Sequence, residues 1–270
     1  MPNKVTKLFR LPAAAILATA VLLAGCATPP KNDPEALAAY KENNDPFEPL
    51  NRYIFELNFA LDELVLKPLA SWYNLLLPTP VERSVHNVLV NFDAPLVLVN
   101  DGLQGNGKRA GVTAKRFLIN STLGVGGLFD VAANRFGLKS HDTDFGITFG
   151  VWGIKEGPYL VLPVFGPSNP RDGVGLGVAS LADPWFYVFK YAADDEFLAY
   201  WRAGIELVDI RARNLETLDQ IRKGAIDYYA TMRSLYRQHR NEQIKAGRAD
   251  DPLASLPFAA PTGPQLTESN

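Results

Sequence analysis

The sequence predicts a single, mainly α-helical domain with one short extended or hairpin region near residues 144–165. Three observations carry that prediction. Leu50, Tyr53, Ile54, Leu57, Leu61, Leu64 and Val65 recur at three- and four-residue spacing, which is one helical face. Residues 195–240 repeat the spacing through Ile205, Val208, Leu215, Leu218, Ile221 and Ile226. Between 144 and 165 the helical period gives way to alternation, with Phe145, Ile147 and Phe149 followed by Tyr159, Val161 and Pro163.

The chain opens on Lys4, Lys7 and Arg10, then on the apolar run LPAAAILATAVLLAG of residues 11–25. That run is shorter than the ~20 residues that cross a bilayer, so residues 1–25 read as a secretory signal peptide. It ends on Leu23-Ala24-Gly25-Cys26, and Cys26 is the only cysteine, which excludes disulfides and CxxC chemistry. The pattern resembles the bacterial lipobox. That implies diacylglycerol and acyl chains (the palmitate class) on Cys26, and Ala27 implies sorting to the outer membrane. At ~0.8 kcal/mol per buried CH2, several chains anchor durably where one does not. Residues 26–46 then form a polar, proline-bearing tether, able to extend about 70 Å.

Of 27 Lys+Arg, three lie in the signal peptide, leaving 24 against 29 Asp+Glu, a mature net charge of −5. Such a chain has no general attraction to nucleic acid.

The folded part is expected over 47–240. Its first helix is apolar nearly all round, because Phe55, Phe59 and Leu66 supplement the main stripe and only Asn51, Asn58 and Asp62 form a narrow polar strip. A helix of that kind is buried in protein or in lipid. Pro68 bends or ends it, and the following Trp72 and Tyr73 suit either a membrane interface or an ordinary core. Further helices are expected near 81–90, 95–103, 107–120 and 127–135, with turn signals at Asp93-Ala94-Pro95 and Gly105-Asn106-Gly107. Helix resumes near 170–182, the aromatic run Pro184–Phe189 follows, and the last helical region has a break near Gly224. Residues 241–270 are expected to be a disordered tail.

Catalytic motifs are missing: there is no G-x-S-x-G, no H-E-x-x-H and no Walker lysine. No metal site is expected. The best local candidate, His141-Asp142-Thr143-Asp144, has one histidine without a partner at ligand spacing, and it reads as a polar loop. Gly124, Gly126 and Gly127 invite a phosphate-binding reading, but a helix rather than a strand precedes them. They read instead as glycines that permit close packing.

Three blocks resemble the MlaA (VacJ) family of outer-membrane lipoproteins: DPFEPLNRYIFELNFALDELVLKP at 45–68, RFLINSTLGVGGLFDVA at 116–132, and DFGITFGVWGIKEGPYLVLPVFGPSNPRDGVG at 144–175. With the lipobox, the resemblance covers residues 26 to about 235. It implies a helical ring-like domain lying in the inner leaflet of the outer membrane, on its periplasmic side, with an amphipathic channel. It also implies phospholipid transport without catalysis, maintaining lipid asymmetry. The implied partners are phospholipids, a trimeric outer-membrane porin, a soluble periplasmic lipid carrier and, through that carrier, an inner-membrane ABC transporter complex.

The resemblance makes Asn51, Arg52, Asn58 and Asp62 the candidates for lipid contact. Gly124, Gly126 and Gly127 would be structural glycines of the ring. Gly146, Gly150, Gly153 and Gly157, with Pro158 and Tyr159, would shape a loop beside the channel, and Arg171 and Asp172 an ion pair. The competing expectation is a structural envelope lipoprotein that docks on porins without moving lipid.

Overall fold

The structure, a computed structural model, describes residues 29–30, 33–195 and 197–248. Helix α1 (Pro34–Asn43) leads into α2 (Glu48–Leu61), which passes through a π-helical turn (Asp62–Leu66) into α3 (Lys67–Leu76). The π turn lies just before Pro68, whose ring removes one N–H and would crowd a regular helix; widening the turn lets the rod continue. Next come α4 (Thr79–Leu103), α5 (Gly107–Thr122) and α6 (Val131–Phe136). The rest is α7 (Phe145–Val151), the antiparallel hairpin β1 (Leu160–Leu162) and β2 (Gly166–Ser168), α8 (Pro170–Ala182), α9 (Pro184–Tyr191), α10 (Phe197–Arg213), α11 (Leu215–Gly224) and α12 (Tyr228–Arg248). Among the described residues no helix is long and apolar enough to cross a membrane.

The mainly α architecture is as expected, with five differences. The polar tether expected at 26–46 is helical over Pro34–Asn43, and its Asp45 is buried against Tyr229 and Arg233. The joint expected at Asp93-Ala94-Pro95 is inside one helix, α4, and the indole N–H of Trp185 donates to the Phe92 carbonyl (2.6 Å) beside the interruption that Pro95 makes. The expected extended region is extended only at β1 and β2. Residues 145–151 are helical because Asp144 caps them, accepting from the Ile147 N–H at 2.8 Å. That short helix is buried on most sides, so no helical period survives in its sequence. The last region is three helices, broken at Asn214 and again at 225–227, and α12 runs eight residues beyond 240 before the described part ends. Finally, the turn through the GVGG glycines takes up the beginning of the helix expected at 127–135, which starts only at Val131, capped by Asp130.

Burial is inverted relative to an ordinary water-soluble domain. Among the described residues, more polar and charged side chains than apolar ones are buried. On α5 the buried positions are Arg109, Thr113, Arg116 and Asn120, one face of the helix, while Leu118 on the other side is 63% exposed. On the α2–α3 rod, Tyr53, Leu57, Leu64, Trp72 and Leu75 face outward. An apolar core does exist, but it is small: Phe55, Tyr159, Val161 and Tyr229, where α2, β1 and α12 meet.

Candidate functional site: an acidic cavity between four helices

Helices α4, α7, α8 and α10 enclose a cavity of about 500 Å³. Its apolar wall consists of Leu89, Val90, Leu96 and Val97 on α4, with Phe145, Ala179 and Ile210. The polar wall carries Asp93, Asp142, Asp144, Glu206 and Asp209, along with His86, Asn100 and Thr143. Spacing explains the arrangement. His86, Asp93 and Asn100 are seven residues apart on α4, so they share a face, and Glu206 and Asp209 are one turn apart on α10.

Electrostatics differ along the wall. Burial raises the Asp93 carboxyl to about 7, reinforced by the charge of Glu206, although Arg202 Nη1 lies 3.0 Å away. Burial likewise raises Glu206. Burial also opposes the charge of Asp209, but His86 Nδ1 at 2.9 Å, the Arg213 charge and the Tyr73 hydroxyl (3.1 Å) outweigh it, and that carboxyl is lowered.

None of the four residues expected to contact lipid lines this cavity, and each is engaged elsewhere. Asn51 is 1% exposed; its amide donates to the Tyr159 carbonyl (3.0 Å) and accepts from the Val161 N–H (2.9 Å). Asn58 repeats the pattern on the Leu162 carbonyl (2.8 Å) and Val164 N–H (2.8 Å). Asn51 thereby completes the free edge of β1 at Val161, while Asn58, seven residues on, holds the end of the strand and the hairpin turn at Leu162 and Val164. Asp62 accepts from Arg211 Nε and Nη2 at 2.6 and 2.9 Å, fastening the π turn to α10. Arg52 pairs with Asp227 (2.6 Å) over the Tyr229 ring. The narrow polar strip of α2 therefore faces the protein, and its apolar stripe faces out.

The glycines divide by role. Gly127 takes a left-handed backbone (φ 98°) where a Cβ would lie 2.7 Å from the Asn91 Cβ, which seats the GVGG turn against α4; Gly126 is left-handed in open space, and Gly124 has its own turn backbone in the Cβ position. Gly146 and Gly150 lie on one face of α7, whose bare surface meets Gly175 of α8 and Ile244 of α12. This G-x-x-x-G is a readable sequence signal for close helix contact that the alternation reading passed over. Gly153 and Gly157 turn the following loop, and Tyr159 lies in the apolar core.

Arg171 and Asp172 form an ion pair (2.9 Å) outside the cavity. Burial opposes the Asp172 charge, but Arg240 (2.8 Å), Arg171 and the Tyr236 hydroxyl outweigh it and hold the carboxyl at about 2. His141 is buried with Nε2 2.8 Å from Asp101, and among the described residues no three ligand-type side chains assemble as a metal site. Cys26 lies outside the described residues.

Sequence reasoning missed Asp93, Glu206 and Asp209. Their signal is an acid inside an otherwise apolar helical run, as in Ile205-Glu206-Leu207-Val208-Asp209-Ile210.

An outward apolar surface, an interior of paired charges and an amphipathic cavity define a helical protein built around a polar interior and a nonpolar exterior. The MlaA lipoprotein family matches residues 43–243. The intermembrane phospholipid transport system lipoprotein MlaA of Haemophilus influenzae is 32% identical over 89% of this chain and 93% of its own length. The protein of that name from Escherichia coli is 30% identical over 85% and 87%. A solved structure described as the structural basis for maintenance of bacterial outer membrane lipid asymmetry superposes with a TM-score of 0.65 at 29% identity, covering 74% of this chain and 98% of that one. The chain belongs to the MlaA lipoprotein family.

Proposed function

We propose that this protein is a lipoprotein component of intermembrane phospholipid transport, and that the cavity between α4, α7, α8 and α10 is its lipid path. It removes phospholipids mislocalised to the outer leaflet of the outer membrane and passes them inward to a soluble periplasmic carrier, which feeds an inner-membrane ABC transporter complex. Lipidated Cys26 anchors it, the body lies in the inner leaflet beside a trimeric porin, and no reaction is catalysed.

One observation carries this reading. The cavity joins carboxylates to an aliphatic wall inside a body whose exterior is apolar, with Leu64 76% and Leu75 79% exposed. A headgroup needs the polar wall and acyl chains need the apolar one, while outward Leu, Trp and Tyr suit a leaflet. The relatives named as phospholipid transport lipoproteins support the same role.

Filling the cavity tests it. Ala179→Trp, introduced into a Gram-negative strain lacking its own relative, is expected to accumulate normally and still leave phospholipid in the outer leaflet, as measured by labelling from outside the cell. Full restoration of asymmetry by the folded Ala179→Trp protein would leave only porin docking, the scaffold reading.

A further inference from the structure

We propose that the cavity selects phospholipids with an ammonium headgroup, of the phosphatidylethanolamine type, over net-anionic ones; this rests on the lipid-path reading.

Positive charge is short along the acidic wall. Asp93, Asp183 and Glu206 surround one guanidinium, that of Arg202, which hydrogen bonds to Asp93 (3.0 Å) and Asp183. Among the described residues neither Glu206 nor Asp142 makes a close ion pair; each feels one arginine at longer range, Glu206 the already shared Arg202 and Asp142 the buried Arg109, so the wall holds more carboxylates than cations. The arginines that serve the wall stand behind it. Arg202, Arg213 and Arg240 contact Asp93, Asp209 and Asp144 without lining the cavity, and His86 is the one basic side chain among the described lining residues.

Donor and acceptor chemistry points the same way. The wall is rich in acceptors and poor in donors: the Asn100 amide donates to the Leu96 carbonyl (2.9 Å), leaving carboxylates as the main polar groups offered to a ligand. A primary ammonium carries three donors and one positive charge, so it matches such a wall. A glycerol headgroup brings a phosphate with no cation of its own to a wall whose polar groups are mainly carboxyls, where, among the described residues, no donor-bearing cation lines the cavity except His86. Recruitment of a divalent ion to bridge an anionic lipid would need a ligand set, and none of three or more groups occurs among the described residues.

The full-length lipidated protein, purified in detergent, is equilibrated in EDTA with mixed micelles holding equal phosphatidylethanolamine and phosphatidylglycerol of matched acyl chains. Retained lipid is then measured by mass spectrometry. We expect phosphatidylethanolamine to exceed phosphatidylglycerol about tenfold. Glu206→Gln with Asp142→Asn should retain lipid with the ratio reduced to less than about threefold, and Ala179→Lys, which adds a cation to the wall, should move it in the same direction. Equal retention of both lipids by the unaltered protein, or an unchanged ratio in both folded variants, overturns the selectivity and leaves the path standing. Retention of neither lipid overturns the path itself.

Discussion

At the junction of α2, the hairpin and α12, Asp45 accepts hydrogen bonds from Asn51, Tyr229 and Arg233, and Asp172 from Asn169, Arg171, Tyr236 and Arg240. Across the molecule, Asp93, Asp183 and Glu206 have Arg202 alone among them. Asp172 is buried and held at about 2, whereas Asp93 is only half-buried and is raised to about 7. The difference is the supply of partners. A junction whose carboxylates are fully partnered fixes the angle between elements. A wall short of cations remains ready for a charge brought from outside, which is the usual mark of a functional site.

The largest effect is expected at Asp172, whose side chain is 7% exposed. Asp172→Asn leaves Arg171 and Arg240 short of a counter-charge in a buried site, and a cost of about 3–5 kcal/mol is expected. It should appear as a large fall in Tm in detergent, or as failure to accumulate. The pH dependence has a definite sign. A carboxyl lowered to about 2 contributes fully above its ordinary value of 3.8, and that contribution is lost as pH falls towards 2.

A smaller effect is expected at the two asparagines. Asn51→Leu strands the Tyr159 carbonyl and the Val161 N–H in a buried place, for about 2–4 kcal/mol. Asn58→Leu removes the same pair of bonds near the surface, where water replaces them, and should cost about 1 kcal/mol. Amide hydrogen exchange at Val161 and Val164 separates the two. Equal costs would show that the β1 edge is not what Asn51 supports.

Much of this was readable in advance, with one systematic inversion. The spacing of Tyr53, Leu57 and Leu64 locates α2, and α8 falls where 170–182 was expected. Periodicity shows that a face is apolar without showing what covers it. Here the apolar face of α2 is exposed, and Asn51, Asn58 and Asp62 point inward to partners more than a hundred residues away. Residues 145–151 misled because a helix buried on most sides has no period to read. The cavity was harder still, since Asp93 and Glu206 stand on helices distant in sequence and each alone looks like an ordinary surface acid. The family resemblance implied a channel without naming a wall, and the cavity proposed as the lipid path emerges only where α4 packs against α10.

The smallest expected effect is also the one that separates the two regions by sign. Removing the charge at Asp172 destabilises, whereas Asp93→Asn should stabilise. The Asp93 carboxyl has an ordinary value of 3.8 and is raised to about 7 by burial, with the Glu206 charge adding to it. The folded state therefore binds the extra proton between those values, so this group makes folding less favourable as pH rises through that window, with the full penalty present above about 7. The substituted amide would keep an oxygen for Arg202 Nη1, and Arg202 would retain Asp183. A gain in Tm of about 2–4 °C is expected at pH 8, shrinking towards zero near pH 4. A loss of Tm at pH 8 would mean that Arg202 does neutralise Asp93, and the two regions would then treat buried charge alike.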